Sequence, residues 1–360
     1  MLIYLLPMAL TMLASVLTAN RRTKLMELAP AFYWLLVLFV GLRYASIDYF
    51  NYQVIFNYVD DFSRLSFPNY IPLSGEKPVE SFYSFLILLV KSLGGNFEVF
   101  IFFIAAISIA IKFYAFKKMS NFFYLSLLLY VAMWMRADLG QIRNGLSSAL
   151  ALLSVYYLYQ HRHWAYSTAA VSGLLVHIAA ALSFLIYFFK KFANPIMMSF
   201  VLFISFLLAA AGGFGMKIII YFSEIMGMGE EFRLIRYMDS KFAEAYSIFG
   251  GTALIHLAVA MPAIIFYKRL VDKNAYNSIL IPVYIYGLSM MFFFIDYGIM
   301  FARIKDLFCT PALTIILPSM VLIFSKSSRP LIYLCVIGFA ILMFVTTVQN
   351  AEPYQTIIFN

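Results

Sequence analysis

Long apolar stretches separated by short polar islands form the pattern of this chain. Several stretches approach or exceed the roughly 17–25 residues that cross a bilayer as a helix, namely Phe97–Phe116, Pro195–Ala211, Ile279–Phe294 and Leu331–Val348. The strands of a membrane barrel would alternate polar and apolar residues, and these stretches do not. The pattern therefore predicts an all-α, polytopic bundle of transmembrane helices with about 11–13 membrane segments.

Composition excludes a soluble globular domain. Of the 360 residues, 64% are apolar and 12% are charged, and the mean hydropathy is +0.88, whereas ordinary domains carry about 25% charged residues. The formal charge of +9 needs no nucleic acid, because cytoplasmic Lys/Arg clusters produce such an excess. The run Leu2–Thr18 predicts a first transmembrane helix rather than a cleaved signal peptide. Cys309 and Cys335 lack metal-like spacing and are expected to be small core residues.

Clusters of basic residues indicate which loops face the cytoplasm. These clusters are Arg21-Arg22, Lys117-Lys118, His161-Arg-His163, Lys190-Lys191, Lys268-Arg269, and Lys326 with Arg329. Two longer polar segments, 47–77 and 212–250, are predicted to be outer loops, the second a cap. We find no soluble module and no internal repeat, so residues 1–360 are expected to form a single integral membrane domain.

The basic clusters allow two topologies. In the first, the run 79–93 is a short or re-entrant helix, and the run 163–190 makes two short crossings with His177 at the outer turn. This arrangement puts every basic pair inside and puts Arg43, Asp48, Arg136, Arg143 and His177 on one outer side. In the second, 79–93 is a full span and 163–190 is one long helix, which moves Lys117-Lys118 outside. The charge count favours the first.

The polar islands resemble those of the EpsG family of bacterial Wzy-like polysaccharide polymerases. The matching elements occur in order along most of the chain: Gly41-Leu-Arg-Tyr44 with Asp48-Tyr49 and Tyr52, Glu80 with Phe82, Gln141-Ile-Arg143, His177, and Glu352-Pro-Tyr354. Two elements depart from the family pattern, since Ser46-Ile47 precedes the aspartate and Glu80 stands in Pro78-Val-Glu-Ser-Phe82. These departures affect the geometry of the loop more than membership of the family.

The resemblance implies a multi-helix, GT-C-like glycosyltransferase of the bacterial inner membrane with its active site facing the periplasm. Such an O-antigen or exopolysaccharide polymerase transfers a growing glycan from undecaprenyl pyrophosphate to a sugar hydroxyl of a lipid-linked repeat unit. Its partners would be that lipid-linked donor and acceptor, the bilayer and a chain-length regulator protein. No cofactor is implied. Without DxD, HxxxH or clustered carboxylates, the sequence also argues against a metal and against a nucleotide-sugar donor.

Arginines are the expected ligands of the departing pyrophosphate, because their forked donors suit phosphate oxygens. Arg43 and Arg143 are the first candidates, each at the end of an apolar run. Instead of binding pyrophosphate, Arg43 could anchor the helix at the membrane interface beside Tyr44. Arg136 could instead simply be neutralised by Asp138. The remaining candidates are Arg233, Arg236 and Arg303. Arg233 and Arg236 would share one helix face, which a surface amphipathic helix would also explain.

Three residues are candidate catalytic bases for the acceptor hydroxyl: His177, Glu80 and Asp48. A neutral imidazole suits proton transfer near pH 7, although a lone histidine on an apolar face is elsewhere a core residue. Instead of acting as a base, Glu80 could stabilise the start of the following helix by interacting with the helix dipole. Instead of acting as a base, Asp48 could form an ion pair that orients Arg43.

Tyrosines beside the islands are candidate stacking platforms for sugar rings, namely Tyr44, Tyr49, Tyr52 and Tyr237. Two other functions stay open at this stage. A flippase for lipid-linked sugars would be expected to show pseudo-repeats or broken helices in corresponding halves, and we find none. A ligase-type transferase would use the same lipid donor, so residues alone separate it poorly from a polymerase.

Overall fold

The protein is almost wholly helical. The structure, a computed structural model, describes residues 2–19, 24–44, 46–59, 80–225, 235, 238, 243–349 and 351–357. Apart from one short two-stranded sheet, its regular elements there are helices. The prediction of an all-α polytopic membrane protein is confirmed.

Three helices of the described residues are long and apolar enough to cross a membrane, namely Phe97–Met119, Gly298–Ile323 and Arg329–Gln349. Two bent pairs could each form one more span, Pro195–Ala210 with Gly215–Ile225 and Gly251–Ile265 with Tyr267–Lys273. Shorter apolar helices accompany them: Ile3–Thr18, Met26–Gly41, Ser81–Ser92 and Asn277–Phe293. Length and composition thus support 3 to 5 spans, and the figure of about 11–13 segments, which includes short ones, stays a prediction.

The chain divides into two compact units, and the first comprises Met1–Phe184 and Leu313–Asn360. Its elements are α1 (Leu2–Thr18), α2 (Ala29–Gly41), β1 (Arg43–Tyr44), α3 (Tyr49–Tyr58), α4 (Ser81–Ser92), α5 (Phe97–Met119), α6 (Phe123–Leu129), a π-helical turn (Tyr130–Trp134), α7 (Met135–Gly140), α8 (Ile142–Tyr159), α9 (His163–Val176) and a 3-10 helix (Ile178–Phe184). This unit carries most of the residues that the sequence singled out.

The second unit comprises Leu185–Ala312. Its helices are α10 (Leu185–Lys191), α11 (Pro195–Ala210), α12 (Gly215–Ile225), α13 (Gly251–Ile265), α14 (Tyr267–Lys273), α15 (Asn277–Phe293), α16 (Gly298–Ile304) and a π-helical turn (Lys305–Cys309). The chain then continues through α17 (Thr310–Met320), a 3-10 turn (Val321–Ile323), α18 (Arg329–Gln349) and β2 (Gln355–Thr356).

Helix α12 opens the segment 212–250 that was expected to be a polar outer loop. Helices α11 and α12 meet at 88°. The bend uses Gly212 and Gly213, whose φ angles of 100° and 80° are readily available only to glycine. The Asp296 carboxylate then accepts hydrogen bonds from the N–H groups of Gly215 and Met216, at 3.0 and 3.1 Å, and satisfies the start of α12. The outer placement of both loops, 47–77 and 212–250, stays a prediction.

The chain turns back at His177, where the second topology required one long helix. Helix α9 ends at Val176, and His177 is extended, with φ −155° and ψ 126°. The Tyr166 hydroxyl near the start of α9 donates to the carbonyls of Ser183 and Phe184, both at 3.1 Å. The 3-10 helix therefore runs back along α9. The single long helix is wrong, and the turn at His177 agrees with the first topology, whose two short membrane crossings stay a prediction.

Helix α4 is also too short for the second topology. It has 12 residues, which extend about 18 Å, against a hydrocarbon core of about 30 Å. A full helical span over 79–93 is therefore wrong, and a short helix follows Glu80.

The polar islands of the first unit lie at one end of its helices. Glu80 contacts Arg143 at the start of α8 and His177 just after α9, and Arg143 lies over the ring of Tyr52. We call this end the Glu80 end. It gathers residues that are up to 125 positions apart in the sequence (52 to 177).

Basic residues mark the opposite end, which we call the Lys118 end. Lys117 and Lys118 lie in the last turn of α5. One turn earlier, the ring of Tyr114 packs against Tyr156 near the end of α8, with centroids 5.5 Å apart. Arg162, in the turn between α8 and α9, lies over the ring of a neighbouring tyrosine. Basic residues at one end and polar islands at the other are what the first topology predicts.

A fully buried ion pair joins the central helices. Lys112 Nζ of α5 lies 2.7 Å from both carboxylate oxygens of Asp138 on α7, and the two side chains are 0% and 1% exposed. Asp138 also accepts from Ser108 Oγ at 2.6 Å and from the Tyr130 hydroxyl at 2.7 Å. Lys112 donates in addition to the Gly145 carbonyl of α8 at 3.1 Å. The suggested neutralisation of Arg136 by Asp138 is therefore wrong, because this carboxylate is committed to Lys112.

We expect Lys112→Met to destabilise the protein strongly. The substitution leaves the Asp138 carboxylate buried without a cation, which costs about 3–5 kcal/mol. The loss of stability is measured by monitoring unfolding in detergent with circular dichroism. Lys117→Met on the same helix is the matched control, because Lys117 is exposed, and it should change stability by less than about 0.5 kcal/mol. Equal stability of the two variants would contradict the importance of the pair.

Candidate active site

Glu80 is the centre of a buried charged cluster at the Glu80 end. Its Oε2 accepts a hydrogen bond from Arg143 Nη1 at 2.5 Å, and its Oε1 accepts one from the backbone N–H of Ile178 at 3.2 Å. His177 Nδ1 lies 3.4 Å from the same Oε1. The side chains of Glu80, Arg143 and His177 are only 3%, 11% and 8% exposed. At this depth the mutual attraction of opposite charges offsets the cost of removing them from water.

Three separate elements supply this cluster. Glu80 directly precedes α4, and its side chain makes no cap hydrogen bond with that helix. The alternative that Glu80 serves the start of its own helix is therefore not supported, because the carboxylate turns toward α8 and α9. Arg143 is the second residue of α8. His177 leaves the helical conformation after α9, and the following N–H group, which no longer bonds within the helix, is free to donate to Glu80.

Two buried tyrosines form an aromatic wall around Arg143. The guanidinium carbon lies 5.7 Å from the ring centroid of Tyr52 and 5.6 Å from that of Tyr83, distances at which cation–π attraction operates. Among the described residues, Arg143 Nε and the Tyr83 hydroxyl have no hydrogen-bond partner although both atoms are buried. Buried polar atoms are normally satisfied, so these two are groups to which a ligand could bind.

Arg43 provides a second buried cation, with 2% of its surface exposed. Its Nη1 donates to the Val40 carbonyl at 2.7 Å and its Nε to Ser46 Oγ at 3.2 Å. Its Nη2 is buried without a hydrogen-bond partner among the described residues. The suggested ion pair with Asp48 is wrong for the described structure, because the guanidinium turns toward Val40 and Ser46. Asp48 precedes α3, and its side chain makes no cap hydrogen bond there.

The C-terminal segment holds the loop that carries Arg43. Strands β1 and β2 pair antiparallel, with Arg43 opposite Thr356. The Tyr354 hydroxyl donates to the Phe39 carbonyl at 2.7 Å, and the two rings stack with centroids 4.6 Å apart. Glu352 accepts a hydrogen bond from Tyr4 through its backbone carbonyl. The Glu352-Pro-Tyr354 segment thus fixes the C-terminal chain against α1 and α2 beside Arg43.

Arg43 and Arg136 line one pocket at the Glu80 end, together with Tyr44, Glu352 and Tyr354. Arg136 is exposed, in contrast to the buried Arg43. The pocket is therefore open to a ligand on one side and lined by two cations.

The pocket and the Glu80 cluster are neighbours. Tyr52 lies close enough to interact electrostatically with both Arg43 and Arg143. Tyr83 interacts with the same two arginines and with Glu80. We therefore treat Arg43, Arg143, Glu80, His177 and their tyrosines as one candidate active site.

The tyrosines chosen as sugar platforms differ in their surroundings. Tyr44 is half-buried and lines the pocket. Tyr49 is completely buried between Tyr44 and Phe97, at centroid distances of 5.2 and 5.0 Å. Tyr52 lies under Arg143 and is 5% exposed. Their sugar-binding roles stay predictions, and the last two have a clear packing role in this structure.

Other predicted site residues fall outside this cluster. Arg233, Arg236 and Tyr237 lie outside the described residues. Arg303 belongs to α16 of the second unit, and its role stays a prediction. Cys309 is buried, as expected, whereas Cys335 is exposed on α18, so the expectation that it is a core residue was wrong. Within the part of the chain that the structure describes, no group of three or more His, Cys, Asp or Glu side chains gathers as a metal site would.

Sequence reasoning missed two residues that matter here. Lys112 stands alone inside an apolar run, and that isolation was the available signal, because membrane-depth charges need partners. Tyr83 lies three residues after Glu80, one turn into α4, but tyrosine is so frequent in this chain that spacing alone could not single it out.

Fold and site together define a helical membrane protein with a buried Arg–Glu–His cluster and a neighbouring Arg-lined pocket at one end of its first unit. The chain belongs to the EpsG family, whose model matches residues 28–358. EpsG is a Wzy-like polymerase family, so the resemblance drawn from the sequence islands is confirmed. No curated protein and no solved structure gives a significant match.

We expect the two ends of the first unit to be labelled from opposite sides of the membrane. Asn51 on α3 and Lys118 on α5 are both exposed. Single cysteines, Asn51→Cys and Lys118→Cys, are introduced into a Cys335→Ala background, which removes the exposed native thiol. A membrane-impermeant maleimide should label Asn51→Cys from the outside and Lys118→Cys only after permeabilisation. Labelling of both positions from one side would contradict the topology.

Proposed function

We propose that this protein is a polysaccharide polymerase that works on glycans carried by undecaprenyl pyrophosphate. It transfers a growing glycan from that carrier to a sugar hydroxyl of a lipid-linked repeat unit. The observation that carries the proposal is the buried Glu80–Arg143–His177 cluster, which holds a cation, a carboxylate and an imidazole in contact within a member of a polymerase family. The reaction needs positive charge for the leaving pyrophosphate and a base for the acceptor hydroxyl, and groups of these kinds can supply both.

Arg143 and Arg43 are proposed to hold the departing pyrophosphate. Arg143 uses Nη1 for Glu80 and keeps a buried Nε without a hydrogen-bond partner among the described residues, and Arg43 keeps its Nη2 in the same way. Guanidinium donors form strong bonds to phosphate oxygens. Because they are fixed before the reaction and shielded from water, they would stabilise the charge that develops on the leaving group. Arg136, on the exposed side of the pocket, is proposed to contact the same phosphates.

His177 is proposed to be the catalytic base and Glu80 its positioning residue. With Nδ1 directed at the Glu80 carboxylate, the neutral imidazole carries its proton there and presents Nε2 as the acceptor. The acceptor hydroxyl gives its proton to Nε2 as its oxygen bonds to the anomeric carbon of the donor glycan. The bond from that carbon to the pyrophosphate oxygen breaks, and undecaprenyl pyrophosphate leaves with the electron pair. Asp48 makes no side-chain contact with these residues in the described structure, so it is the weaker candidate.

The Glu80 end is proposed to face the periplasm. The support is the cluster of Lys117, Lys118 and Arg162 at the opposite end, since positive residues favour the cytoplasmic side. This orientation would place the reaction at the outer face of the inner membrane. A ligase-type transferase remains the second candidate, because it would use the same donor and leaving group.

We expect Arg143→Lys and His177→Ala to lose polymerisation while the protein stays folded, because lysine keeps a cation beside the buried Glu80 but lacks the forked donors of Arg143. Removing the base should lower the rate about 10²–10⁴-fold, and removing a preorganised donor about 10²–10³-fold. Polymer length and amount are measured by gel electrophoresis of glycans from a deletion strain that carries each variant. Arg162→Ala and His163→Ala are matched controls, because both residues are exposed at the Lys118 end, and both should support normal polymer.

The same strains distinguish the alternatives. A polymerase defect leaves single repeat units that are still transferred to their final acceptor. A ligase defect leaves long chains on the carrier lipid, and a flippase defect leaves repeat units on the cytoplasmic face. Near-normal polymer from both Arg143→Lys and His177→Ala, with normal protein levels in the membrane, would contradict the proposed site.

A further inference from the structure

An apolar groove with a basic rim lies at the Lys118 end, away from the candidate active site. Its walls come from the last turns of α1, the turn before α6 and the first turns of α18, and include Val16, Phe122, Leu322, Tyr333, Leu334 and Ile337. Lys326 and Arg329 stand on its rim, and the groove holds about 480 Å³. The proposed reaction makes no use of it.

The contacts of α1 and α18 fix where the groove lies. The two helices run antiparallel, because Tyr4 contacts Glu352 while Ser15 Oγ lies 2.7 Å from the Tyr333 hydroxyl. The ring of Phe122, four residues after Lys118 in the chain, packs edge-on against Tyr333 at 5.5 Å. The groove is therefore at the Lys118 end, and the pocket with Arg43 is at the other end of the same helix pair.

The rim carries two positive charges, neither of which forms an ion pair with a described residue. Arg329 Nε donates to the Phe324 carbonyl and Nη2 to the Leu322 carbonyl, both at 3.3 Å. These bonds hold the guanidinium at the mouth of the groove and use two of its five donors. Lys326 is exposed. None of the residues that line the groove is acidic, so the rim is complementary to an anion.

The walls are complementary to a hydrocarbon chain. Leu334 is 60% exposed and Leu331, one turn earlier, is 64% exposed, so this face of α18 presents apolar side chains to the bilayer. The Tyr333 hydroxyl is satisfied by Ser15, which leaves only its ring to the groove. An anionic head beside an apolar slot at the basic end of a bundle is the arrangement that binds acidic lipids.

We propose that this groove binds an anionic glycerophospholipid of the leaflet at the Lys118 end. The headgroup phosphate contacts Arg329 and Lys326, and an acyl chain lies along Leu322, Leu334 and Ile337. A lipid-linked glycan is a poorer fit, because its phosphates belong at the Glu80 end with Arg43 and Arg143. This choice of occupant rests on the proposed function, whereas the fit of an anionic headgroup and an acyl chain to the groove does not.

Native mass spectrometry of the full-length protein in detergent, titrated with phosphatidylglycerol, tests the proposal. The double variant Lys326→Gln/Arg329→Gln should bind the lipid about 30-fold more weakly, since each basic residue near an anionic lipid contributes about a factor of five. Leu334→Trp fills the groove without changing its charge and should weaken binding as well. The control Lys268→Gln/Arg269→Gln removes an exposed basic pair of the second unit and should bind as the wild type does.

A competition experiment distinguishes a glycerophospholipid from other ligands that carry a phosphate. Phosphatidylcholine and inorganic phosphate should leave the bound phosphatidylglycerol in place. Wild-type binding by the double variant or by Leu334→Trp would overturn the proposal. Displacement by inorganic phosphate would show a site for free anions, and tighter binding of undecaprenyl phosphate would show a carrier-lipid site. Either result would also overturn it.

Discussion

The constraint on which this structure depends is the cost of a charge in a medium of low dielectric. A charged side chain at membrane depth is tolerated when a partner of opposite sign and further hydrogen bonds surround it. The first unit meets this requirement twice, with Lys112–Asp138 in the middle of the bundle and Arg143–Glu80 nearer one end. Each pair joins helices that are distant in sequence, so the pairing of charges also decides how the helices pack.

The two pairs are linked by one turn of the chain. Asp138 lies in the last turn of α7, Arg143 is the second residue of α8, and the Gly145 carbonyl two residues later accepts from Lys112. Gly145 approaches Asp138 so closely that a Cβ atom there would lie 2.5 Å from the carboxylate. The central pair thereby sets the position from which Arg143 extends. The pairs differ in one respect: around Arg143 and Tyr83 two buried polar atoms have no hydrogen-bond partner among the described residues, and in the proposed function a ligand would supply their partners.

Most of the fold class and part of the site could be predicted from the sequence. The length of the apolar runs predicted helices, and the positions of the basic clusters predicted that Arg143 and His177 lie on the same side, but the contact of both with Glu80 did not follow from charge. Partner choice could not be predicted. Asp138 was expected near Arg136, two residues away, yet it binds Lys112 from another helix. Asp48 was expected to bind Arg43, whose donors go to backbone and serine instead. Such choices depend on where helices meet, which local sequence does not encode.

The hairpin at His177 shows why fold and site cannot be separated here. Nothing in the run from α9 to α10 forces a break, because it contains no proline and its length suits a single span. The break instead accompanies the contact of Glu80 with His177 and with the N–H of Ile178. The carboxylate thus contacts both His177, the proposed base, and the turn that follows it. Loss of activity after removal of Glu80 would therefore mix chemistry with folding, whereas Arg143→Lys leaves the hydrogen bond from Ile178 to Glu80 in place and reports on chemistry more directly.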